Sequence, residues 1–411
     1  MFMEPIELVL GHPAAGGGFV ARDDGGRVVF VRHGLPGERV RAVITEEHPR
    51  WARADAIEIL EASPDRVSAP CSRAGVGRCG GCDYQHASLE AQRGFKAQLI
   101  AEQLRRVAKI DRTVDVEEAP ENNGGLGNRT RVRFGVSPRG HIGMRQHRSN
   151  EIVEMPTCPL AVERIAAMYL EAETYPAGYD IEACAIEGSA EASLLRDTAE
   201  THTTEATLND GFDHIVVDTT LGRVQETTVA GMAFQVSPGS FWQIHRRAPE
   251  ILVAAVLKGL DLHPGDCVLD LYAGVGLFTK AAAEVVGVDG LVVAIEDSEV
   301  ATEDAIRNTS ALAWVDVITG NVDGESVREN GIGSTHGIID PPRSGIDRSA
   351  LEALNAISTL KTIVSVSCDP ATFARDLKLL MDAGWQLGEV RAFDLFEHTE
   401  HVEILGTLTR P

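Results

Sequence analysis

The chain has 411 residues, 44% of them hydrophobic, and a formal net charge of −23 at neutral pH. This length exceeds one ordinary hydrophobic core, so two or three domains are expected. No apolar run approaches the ~20 residues that span a bilayer, and the N-terminus lacks the pattern of a secretory signal. We therefore expect a cytoplasmic protein without a membrane segment. Seven cysteines in a reducing compartment indicate metal-binding or catalytic roles rather than disulfides.

The acidic charge is unevenly distributed. Residues 161–230 hold 14 acidic and 3 basic side chains, whereas residues 71–160 hold 14 basic and 10 acidic ones. Within the basic stretch, residues 127–148 contain no carboxylate and six arginines, which are Arg129, Arg131, Arg133, Arg139, Arg145 and Arg148. Either these arginines face phosphate groups of a nucleic acid, or they decorate a solvated pair of strands, and the sequence favours neither.

Short strands fill residues 4–62. Alternating apolar and polar positions at 6–10, 27–31 and 39–44 are separated by turns that contain glycine and proline. Strands spaced about ten residues apart with such turns predict a small β-barrel.

A cysteine cluster and a mixed segment follow. Three of the seven cysteines fall within residues 71–82. The apolar positions of residues 88–109 fit one face of a helix, and residues 129–229 mostly alternate as strands do, around a helix at 161–172. The middle of the chain is therefore predicted to be α+β.

Helices and strands alternate from about residue 245 onwards. A predicted helix at 248–260 leads to a strand at 267–271, and later strands end at Glu296, at Asp340, near Ser367 and at Leu408. This rhythm predicts a doubly wound sheet, which binds ligands at the carboxyl ends of its strands. The predicted domains are residues 1–62, 63–235 and 236–411.

A glycine-bearing turn between the first strand of this sheet and its helix predicts the cofactor site. The turn runs from Asp270 to Gly276, and Glu296 follows 20 residues later at the end of the next strand, where a carboxylate suits a ribose diol. A dinucleotide site would need a third glycine where Thr279 stands. The Asp-Pro-Pro run that begins at Asp340 is typical of methyltransferases that act on bases and favours S-adenosylmethionine. An ordinary surface carboxylate is the alternative for Asp340.

Cys368 lies where a strand ends and a helix begins, with Asp369 as the predicted N-cap and Pro370 as the first helical residue. The N–H groups of the helix should favour the thiolate, although the charge of Asp369 opposes that shift. Carbon-5 of a pyrimidine becomes nucleophilic only after a thiolate adds to C6, and a base must later remove the C5 proton. Cys368 is the predicted nucleophile and Glu403 the predicted base, but the pattern alone does not separate Glu403 from Glu400.

Five motifs occur in a specific order along the chain. They read SPGSFWQ from Ser237, DLYAGVG from Asp270, DPPR from Asp340, SCDPATFARD from Ser367 and HTEHVE from His398. In this order they resemble the RNA uracil-5 methyltransferases, the family of 23S rRNA and tRNA 5-methyluridine enzymes. The resemblance covers essentially the whole chain. It implies an α/β fold, with a class I Rossmann-like methyltransferase domain, an OB-like TRAM barrel at residues 1–62 and a mixed α+β central domain.

The resemblance also assigns roles to residues. It implies that Cys368 is the nucleophile, that Glu403 abstracts the proton and that Asp340 touches the uracil. Together with the glycine turn, the positions expected to hold S-adenosylmethionine are Gln243, Tyr272, Gly274, Gly276, Glu296, Asn321 and Asp340.

Three positions depart from the pattern of the family. Leu277 replaces an asparagine found after the glycine turn in some members, so that side chain's contact with the methionine part is not expected here. His245 stands where an asparagine often follows Gln243, and Glu397 stands where proline is common. Neither His245 nor Glu397 is expected to carry the chemistry.

Four cysteines, Cys71, Cys79, Cys82 and Cys158, resemble the ligands of the family's [4Fe–4S] cluster. The residues alone, three thiols in a C-x7-C-x2-C pattern with a fourth elsewhere, could equally hold Zn²⁺, and zinc stays as the lesser alternative. Cys184 and Cys267 have no predicted role.

The implied activity is methylation of uridine C5 in RNA with S-adenosylmethionine. The barrel and the cysteine cluster favour 23S rRNA as the substrate. The alternatives are a tRNA 5-methyluridine enzyme, an RNA 5-methylcytidine enzyme and a catalytically silent RNA-binding protein. Arg343 after Pro342 disfavours 5-methylcytidine chemistry, because that family carries a cysteine in this region. We expect a monomer with no obligate protein partner.

Overall fold

The computed structural model describes residues 4–186, 191–196, 215–216 and 224–410. Its strands form one two-stranded sheet and three larger ones. Parts of the predicted strand-rich stretch at 129–229 lie outside the described residues. No described helix has the length and apolar character needed to cross a membrane.

The N-terminal strands form a closed barrel. Its strands are β1 (Ile6–Val9), β2 (Pro13–Ala14), β3 (Gly18–Arg22), β4 (Val28–Arg32), β5 (Arg39–Glu47) and β6 (Trp51–Glu61), in the order β1-β5-β6-β4-β3-β2. Strand β1 pairs with β5 at one edge of this sheet, and the residues that follow β1 pair with β3 near the other edge. There the Gly11 N–H group donates to the Val20 carbonyl at 2.7 Å and the Val20 N–H group donates to the His12 carbonyl at 3.0 Å, which closes the barrel. Phe19, Val29 and Val40 are fully buried inside. The prediction of a small barrel is confirmed.

Helix α1 (Leu89–Gln103) follows the cysteine segment. Ser88 accepts a hydrogen bond from the Ala91 N–H group and caps its start. The helix continues as a π-helical turn, Leu104–Ala108, and ends at Lys109, whose φ is +61°. Ile100 and Leu104 belong to the same buried core as the C-terminal sheet, so this helix packs as part of that sheet's layer.

The next strand joins the C-terminal sheet, and six others form the central sheet. Strand β7 spans Val116–Glu118. The central sheet contains β8 (Arg131–Val136), β9 (Ile142–Arg145), β10 (Ile152–Glu154), β11 (Tyr179–Cys184), β12 (Glu191–Arg196) and β13 (Ile215–Val216), in the order β10-β9-β8-β11-β12-β13. The hairpin of β14 (Gln225–Val229) and β15 (Met232–Val236) follows.

The helix predicted at 161–172 is much shorter in the structure. It consists of α2 (Glu163–Ala166) and a 3-10 turn at Leu170–Ala172. Between them Tyr169 has a φ of +50°, which a continuous right-handed helix cannot contain. The extent of the prediction was therefore wrong.

Five of the six arginines at 127–148 form ion pairs within the chain. The pairs are Arg131–Glu182 at 3.8 Å, Arg133–Asp180 at 2.6 Å, Arg139–Glu154 at 2.6 Å, Arg145–Asp180 at 2.7 Å and Arg148–Glu46 at 3.2 Å. Four of these pairs lie within the central sheet and its turns, which favours the interpretation that those arginines stabilise the strands, whereas Arg148 reaches Glu46 of the barrel.

The C-terminal sheet has eight strands and is doubly wound. After helix α3 (Ala248–Leu260), strands alternate with helices, namely β16 (Cys267–Leu271), α4 (Leu277–Val286), β17 (Leu291–Glu296), α5 (Glu299–Thr309), β18 (Val315–Thr319), α6 (Gly324–Asn330), β19 (His336–Ile339), α7 (Arg348–Ala356), β20 (Thr362–Ser367), α8 (Pro370–Asp382), β21 (Gln386–Asp394) and β22 (Glu403–Thr409). The order is β18-β17-β16-β19-β20-β22-β21-β7. Each of the two faces of this sheet is covered by its own buried hydrophobic core.

The strand order reverses direction between β16 and β19. From β16 the chain proceeds outward to β17 and β18, then returns to place β19 on the other side of β16. Such a switch point opens a crevice at the carboxyl ends of the strands. The fold class predicted from the sequence is confirmed, whereas the exact domain boundaries stay a prediction.

Candidate active site

The glycine turn after β16 lies at the switch point and is shaped by its neighbours. Tyr272, Gly274 and Gly276 all have positive φ, at +64°, +55° and +83°. A Cβ atom on Gly276 would lie 3.3 Å from Ala305, so the turn also needs glycine here for close packing on α5. The Gly274 N–H group donates to Glu296 Oε2 at 2.9 Å, which fixes the carboxylate against the turn.

Asp270, at the start of the motif, is a site residue that the sequence analysis did not select. It is fully buried, and Thr279 donates a hydrogen bond to its Oδ2 atom at 2.6 Å. Within the described residues, its Oδ1 atom has no hydrogen-bond partner. Burial raises the pKa of this carboxyl to about 7. The open acceptor therefore suits a donor group of a ligand.

The other predicted cofactor residues surround this turn. The Tyr272 hydroxyl accepts a hydrogen bond from the Asp347 N–H group at 3.1 Å, at the start of α7. Asn321 is exposed just after β18, and the preceding Gly320 N–H group donates to the Glu296 carbonyl at 2.8 Å.

Gln243 lies in a loop before α3 and is buried. Two serines of its motif bind the buried carboxylate of Asp304 on α5, with Ser237 Oγ at 2.6 Å and Ser240 Oγ at 2.7 Å. Trp242 packs into the same core as Val275 of the glycine turn. The motif that contains Gln243 is therefore anchored on α5, the helix that also packs against Gly276, and Asp304 is the anchor that sequence reasoning missed.

The strand register brings Cys368 and Glu403 together. Strands β20 and β22 are antiparallel and pair Ser367 with Ile404, so Cys368 and Glu403 are the next facing positions. Asp340 follows the adjacent strand β19, whose Ile339 pairs with Ser365 of β20. The structure thus brings the thiol of Cys368 and the carboxyl groups of Glu403 and Asp340 together, at the ends of strands β19, β20 and β22.

Burial governs the charge state of these groups. Burial, together with the neighbouring Glu403 and Asp340, raises the pKa of Cys368 to about 11, and Arg343 acts in the opposite direction. Burial and the neighbouring Asp340 raise the pKa of Glu403 well above its usual value. The Asp369 side chain accepts a hydrogen bond from the Thr372 N–H group at 2.7 Å, so this N–H group at the start of the helix already has a partner. The expectation that the helix start favours the Cys368 thiolate is therefore wrong for the free protein.

Glu403 and Glu400, which the sequence pattern did not distinguish, have different environments in the structure. Glu400 Oε2 accepts hydrogen bonds from the N–H groups of Gly16 and Gly17 in the N-terminal barrel. Glu403 is only 4% exposed and lies in register with the thiol. Glu400 is therefore engaged in holding the barrel.

Comparisons with known proteins agree with this arrangement. The family model described as tRNA (Uracil-5-)-methyltransferase matches residues 327–410, and the TRAM domain model matches residues 10–57. A Streptomyces coelicolor protein described as an uncharacterized RNA methyltransferase is 40% identical over 98% of this chain and 93% of its own length. The 23S rRNA (uracil(1939)-C(5))-methyltransferase RlmD of Acinetobacter baumannii is 31% identical over 96% of this chain and 90% of its own. The chain belongs to the RNA uracil-5 methyltransferase family.

A solved structure shows the same fold as this methyltransferase. The tRNA (uracil-54, C5)-methyltransferase of Pyrococcus abyssi, in complex with S-adenosyl-L-homocysteine, superposes with a TM-score of 0.70 and 22% identity. The match covers 98% of this chain and 100% of that chain.

The residues at the switch point of the methyltransferase fit S-adenosylmethionine. Glu296 lies at the end of the second strand, where a carboxylate binds a ribose diol. The unpaired Oδ1 atom of Asp270 is an acceptor that an amino group would satisfy. The positive φ of Gly274 lets the backbone approach a ligand closely.

A second candidate site of the methyltransferase contains the four predicted cluster cysteines. Burial raises the pKa values of Cys79 and Cys158, and that of Cys82 to about 12, and neighbouring thiols of the set contribute to each shift. Hydrogen bonds to sulfur come from Arg73 N–H to Cys71 at 3.4 Å, Gly81 N–H to Cys79 at 3.4 Å and Gln85 Nε2 to Cys82 at 3.3 Å. Across the described ranges, no three Cys, His, Asp or Glu side chains are as close together as the ligands of one metal ion.

Proposed function

We propose that this methyltransferase converts uridine to 5-methyluridine in 23S rRNA. The observation that carries the proposal is the facing pair of Cys368 and Glu403 beside the switch-point crevice. Uracil C5 chemistry needs a nucleophile at C6 and a base at C5, and a facing thiol and carboxyl can reach both atoms of one ring. Support for rRNA comes from the 31% identity to an enzyme named for 23S rRNA.

In the proposed reaction, the Cys368 sulfur forms a bond to C6 of the uracil, and the electron pair of the C5–C6 double bond moves towards C5 and O4. S-adenosylmethionine supplies the methyl group that C5 takes up. Glu403 then removes the remaining C5 proton, and the electron pair left on C5 restores the double bond and expels the thiolate. Glu403 is thus left protonated and must lose its proton before the next cycle.

Arg343 is proposed to stabilise the attacking thiolate. Its guanidinium lowers the pKa of the Cys368 thiol, against the effects of burial and of two carboxyl groups. Asp340 is proposed to contact the uracil, because it lies at the same edge as the thiol and its raised pKa of about 7 permits it to donate or to accept a hydrogen bond.

The test is a methyl-transfer assay with undermodified RNA and methyl-labelled S-adenosylmethionine. After digestion, the label should appear in 5-methyluridine from 23S rRNA and not from tRNA. Label in tRNA alone would assign the substrate named for the Pyrococcus abyssi protein, and label in cytidine or no label would contradict the proposal.

Two variants test the assigned roles. Cys368→Ala should abolish turnover without preventing binding of S-adenosylmethionine. Glu403→Gln should instead accumulate a covalent RNA–protein adduct, visible on a denaturing gel, since the C5 proton stays in place. If Glu403→Gln turns over normally, the carboxylate is not the base. A Glu400→Gln variant is the matched control and should form no adduct.

We further propose that Cys71, Cys79, Cys82 and Cys158 bind a [4Fe–4S] cluster. Support comes from the thiols themselves, because Cys71 and Cys158 are buried and neighbouring thiols of the set contribute to the raised pKa values of Cys79, Cys82 and Cys158. Cysteine thiolates are the ligands that hold such clusters. Protein purified without oxygen should be brown and contain iron and acid-labile sulfide in equal amounts. A colourless protein loaded with zinc would refute the cluster.

A monomeric state, a cytoplasmic location and the absence of an obligate protein partner stay predictions. Light scattering of the purified protein would test the first of these.

A further inference from the structure

A cavity of about 340 Å³ lies where three parts of the chain meet. Its walls come from the N-terminal barrel, from the cysteine segment at 75–79 and from the turn at 146–148 between β9 and β10. It is separate from the switch-point crevice, and none of the residues predicted to bind S-adenosylmethionine lines it.

The cavity is positively charged although the whole chain is strongly acidic. Its charged lining consists of four arginines and two carboxylates, namely Arg32, Arg53, Arg78, Arg148, Glu46 and Asp55. Two of the arginines share one carboxylate oxygen, because Arg53 Nε lies 3.0 Å and Arg148 lies 3.2 Å from Glu46 Oε2. The cavity therefore attracts anions.

An unsatisfied donor lies in the wall of the cavity. The Arg32 side chain is 11% exposed and pairs with Asp83 through Nη2 at 3.2 Å. Its Nε atom is buried and, among the described residues, has no hydrogen-bond partner. Two imidazoles beside it are held neutral, since burial and the arginines lower the pKa of His33 to about 3 and that of His147 to about 4. The wall thus presents guanidinium and imidazole donors together.

The cavity is adjacent to the segment that leads to Glu403. Gly16 lines it, and the N–H group of the same glycine donates to Glu400, three residues before Glu403. Asp83, the partner of Arg32, accepts a hydrogen bond from the Glu400 N–H group at 3.2 Å. Glu400 therefore connects the wall of the cavity to the segment that carries Glu403.

We infer that this cavity binds a backbone phosphate of the substrate RNA near the target uridine. Guanidinium groups match the oxygens of phosphate, and a neutral imidazole can donate to the same group. The inference rests on the proposed function, because it takes RNA as the substrate. It adds a phosphate site, formed jointly by the barrel and the cysteine segment, that would fix the position of the RNA relative to Cys368.

The experiment scans an RNA substrate by replacing one phosphate at a time with an uncharged methylphosphonate. For wild-type protein, one linkage near the target should weaken binding about tenfold when it is neutralised. The double variant Arg53→Gln, Arg148→Gln should bind unmodified RNA about tenfold more weakly and lose no further affinity at that linkage. The salt dependence of its RNA affinity should fall by the equivalent of about one phosphate contact.

The matched control is the double variant Arg39→Gln, Arg41→Gln, which removes two charges from the same barrel. These arginines pair with Glu61 and Glu58 and do not line the cavity. The control should keep the wild-type sensitivity at every linkage. Equal effects of the two double variants, or stabilisation of wild type by inorganic phosphate without a sensitive linkage, would overturn the inference. Wild-type protein that methylates no RNA would contradict the proposed function itself, so the two failures are distinct.

Discussion

Three groups from different strands and loops set the reactivity of Cys368. Burial raises the pKa of the thiol to about 11, the Glu403 and Asp340 carboxyls act in the same direction, and the Arg343 guanidinium opposes them. Because the Cys368 thiolate is the proposed nucleophile, attack on uracil should become faster as the pH rises. The raised pKa of Glu403, the proposed base, has the same consequence, since a carboxyl group can take up the C5 proton only when it is ionised.

Opposite shifts of thiol reactivity are expected for two variants. Glu403→Gln removes a neighbouring carboxyl, so the pKa of the thiol should fall and alkylation of Cys368 should begin at lower pH. Arg343→Gln removes a cation, so alkylation should need higher pH. The measurement follows the rate of iodoacetamide labelling of the peptide that contains Cys368, by mass spectrometry, from neutral to alkaline pH. Labelling of Cys267 serves as the internal control, and shifts in the same direction for both variants would contradict this electrostatic account.

The identity of these residues could be predicted from the sequence, but their charge states could not. Cys368 stands out locally, because a strand, a thiol and a capped helix follow one another. The pKa of the thiol instead depends on Asp340, Arg343 and Glu403, which only the sheet brings together. For the same reason the sequence could not separate Glu403 from Glu400, whose partners are in the barrel.

Two loops approach each other at the residues that depart from the family's pattern. His245, in the loop that carries Gln243, lies 3.5 Å from Glu397, in the segment that leads to Glu403, and both are buried. The Asn128 Nδ2 group also donates a hydrogen bond to Glu397 Oε1 at 3.2 Å. The Nδ1 atom of His245 accepts a hydrogen bond from the Arg247 N–H group at 3.1 Å, so the Nε2 atom of His245 is the one that faces the Glu397 carboxylate. A histidine and a carboxylate thus connect the predicted cofactor loop to the predicted base.

A double-mutant cycle with His245→Asn and Glu397→Gln should detect this connection. Each single change should destabilise the protein and lower kcat, because it leaves a buried polar partner without its contact. The coupling energy between the two should be about 1 kcal/mol, as is usual for buried residues in contact. Urea unfolding and steady-state kinetics measure it. The pair Lys258 and Glu389, exposed on α3 and β21 at 3.4 Å, is the control and should show no coupling.

Sequence patterns predicted the elements of the C-terminal sheet better than those of the middle. Strands such as β16 and β17 are buried on both faces, so their apolar runs are continuous and bounded by turns. The helix at 161–172 was predicted too long, because the apolar pattern does not reveal the positive φ of Tyr169 that interrupts the helix. Strand β7 has only three residues, and its pairing with β21 could not be recognised from so short a run.

One short segment connects the N-terminal barrel to the part of the C-terminal sheet that carries Cys368 and Glu403. Glu400 Oε2 accepts N–H groups of Gly16 and Gly17 from the barrel, and the His398 carbonyl accepts the N–H groups of Asp83 and Tyr84 at 2.8 and 2.9 Å. Glu403 begins β22 three residues after Glu400. The position of the barrel and that of the predicted base are therefore set by the same segment.

Replacing Glu400 should loosen this connection without unfolding the barrel, whose core includes the buried rings of Phe19, Tyr84 and Phe95. Glu400→Ala removes two charge-assisted hydrogen bonds, worth roughly 3 kcal/mol together, and Glu400→Gln should have a smaller effect because it retains an acceptor. Hydrogen exchange of the Gly16 and Gly17 amides should accelerate and kcat on RNA should fall, while the affinity for S-adenosylmethionine stays unchanged.

The control for Glu400 is Glu58→Ala, which removes an exposed carboxylate that pairs with Arg41 on the same barrel. It should change neither the exchange of the two glycine amides nor kcat, since exposed ion pairs contribute little. Unchanged exchange in Glu400→Ala would show that the carboxylate does not hold the barrel. Faster exchange with unchanged kcat would show instead that the barrel and the base are positioned independently, and the shared segment would then be a structural link without a catalytic consequence.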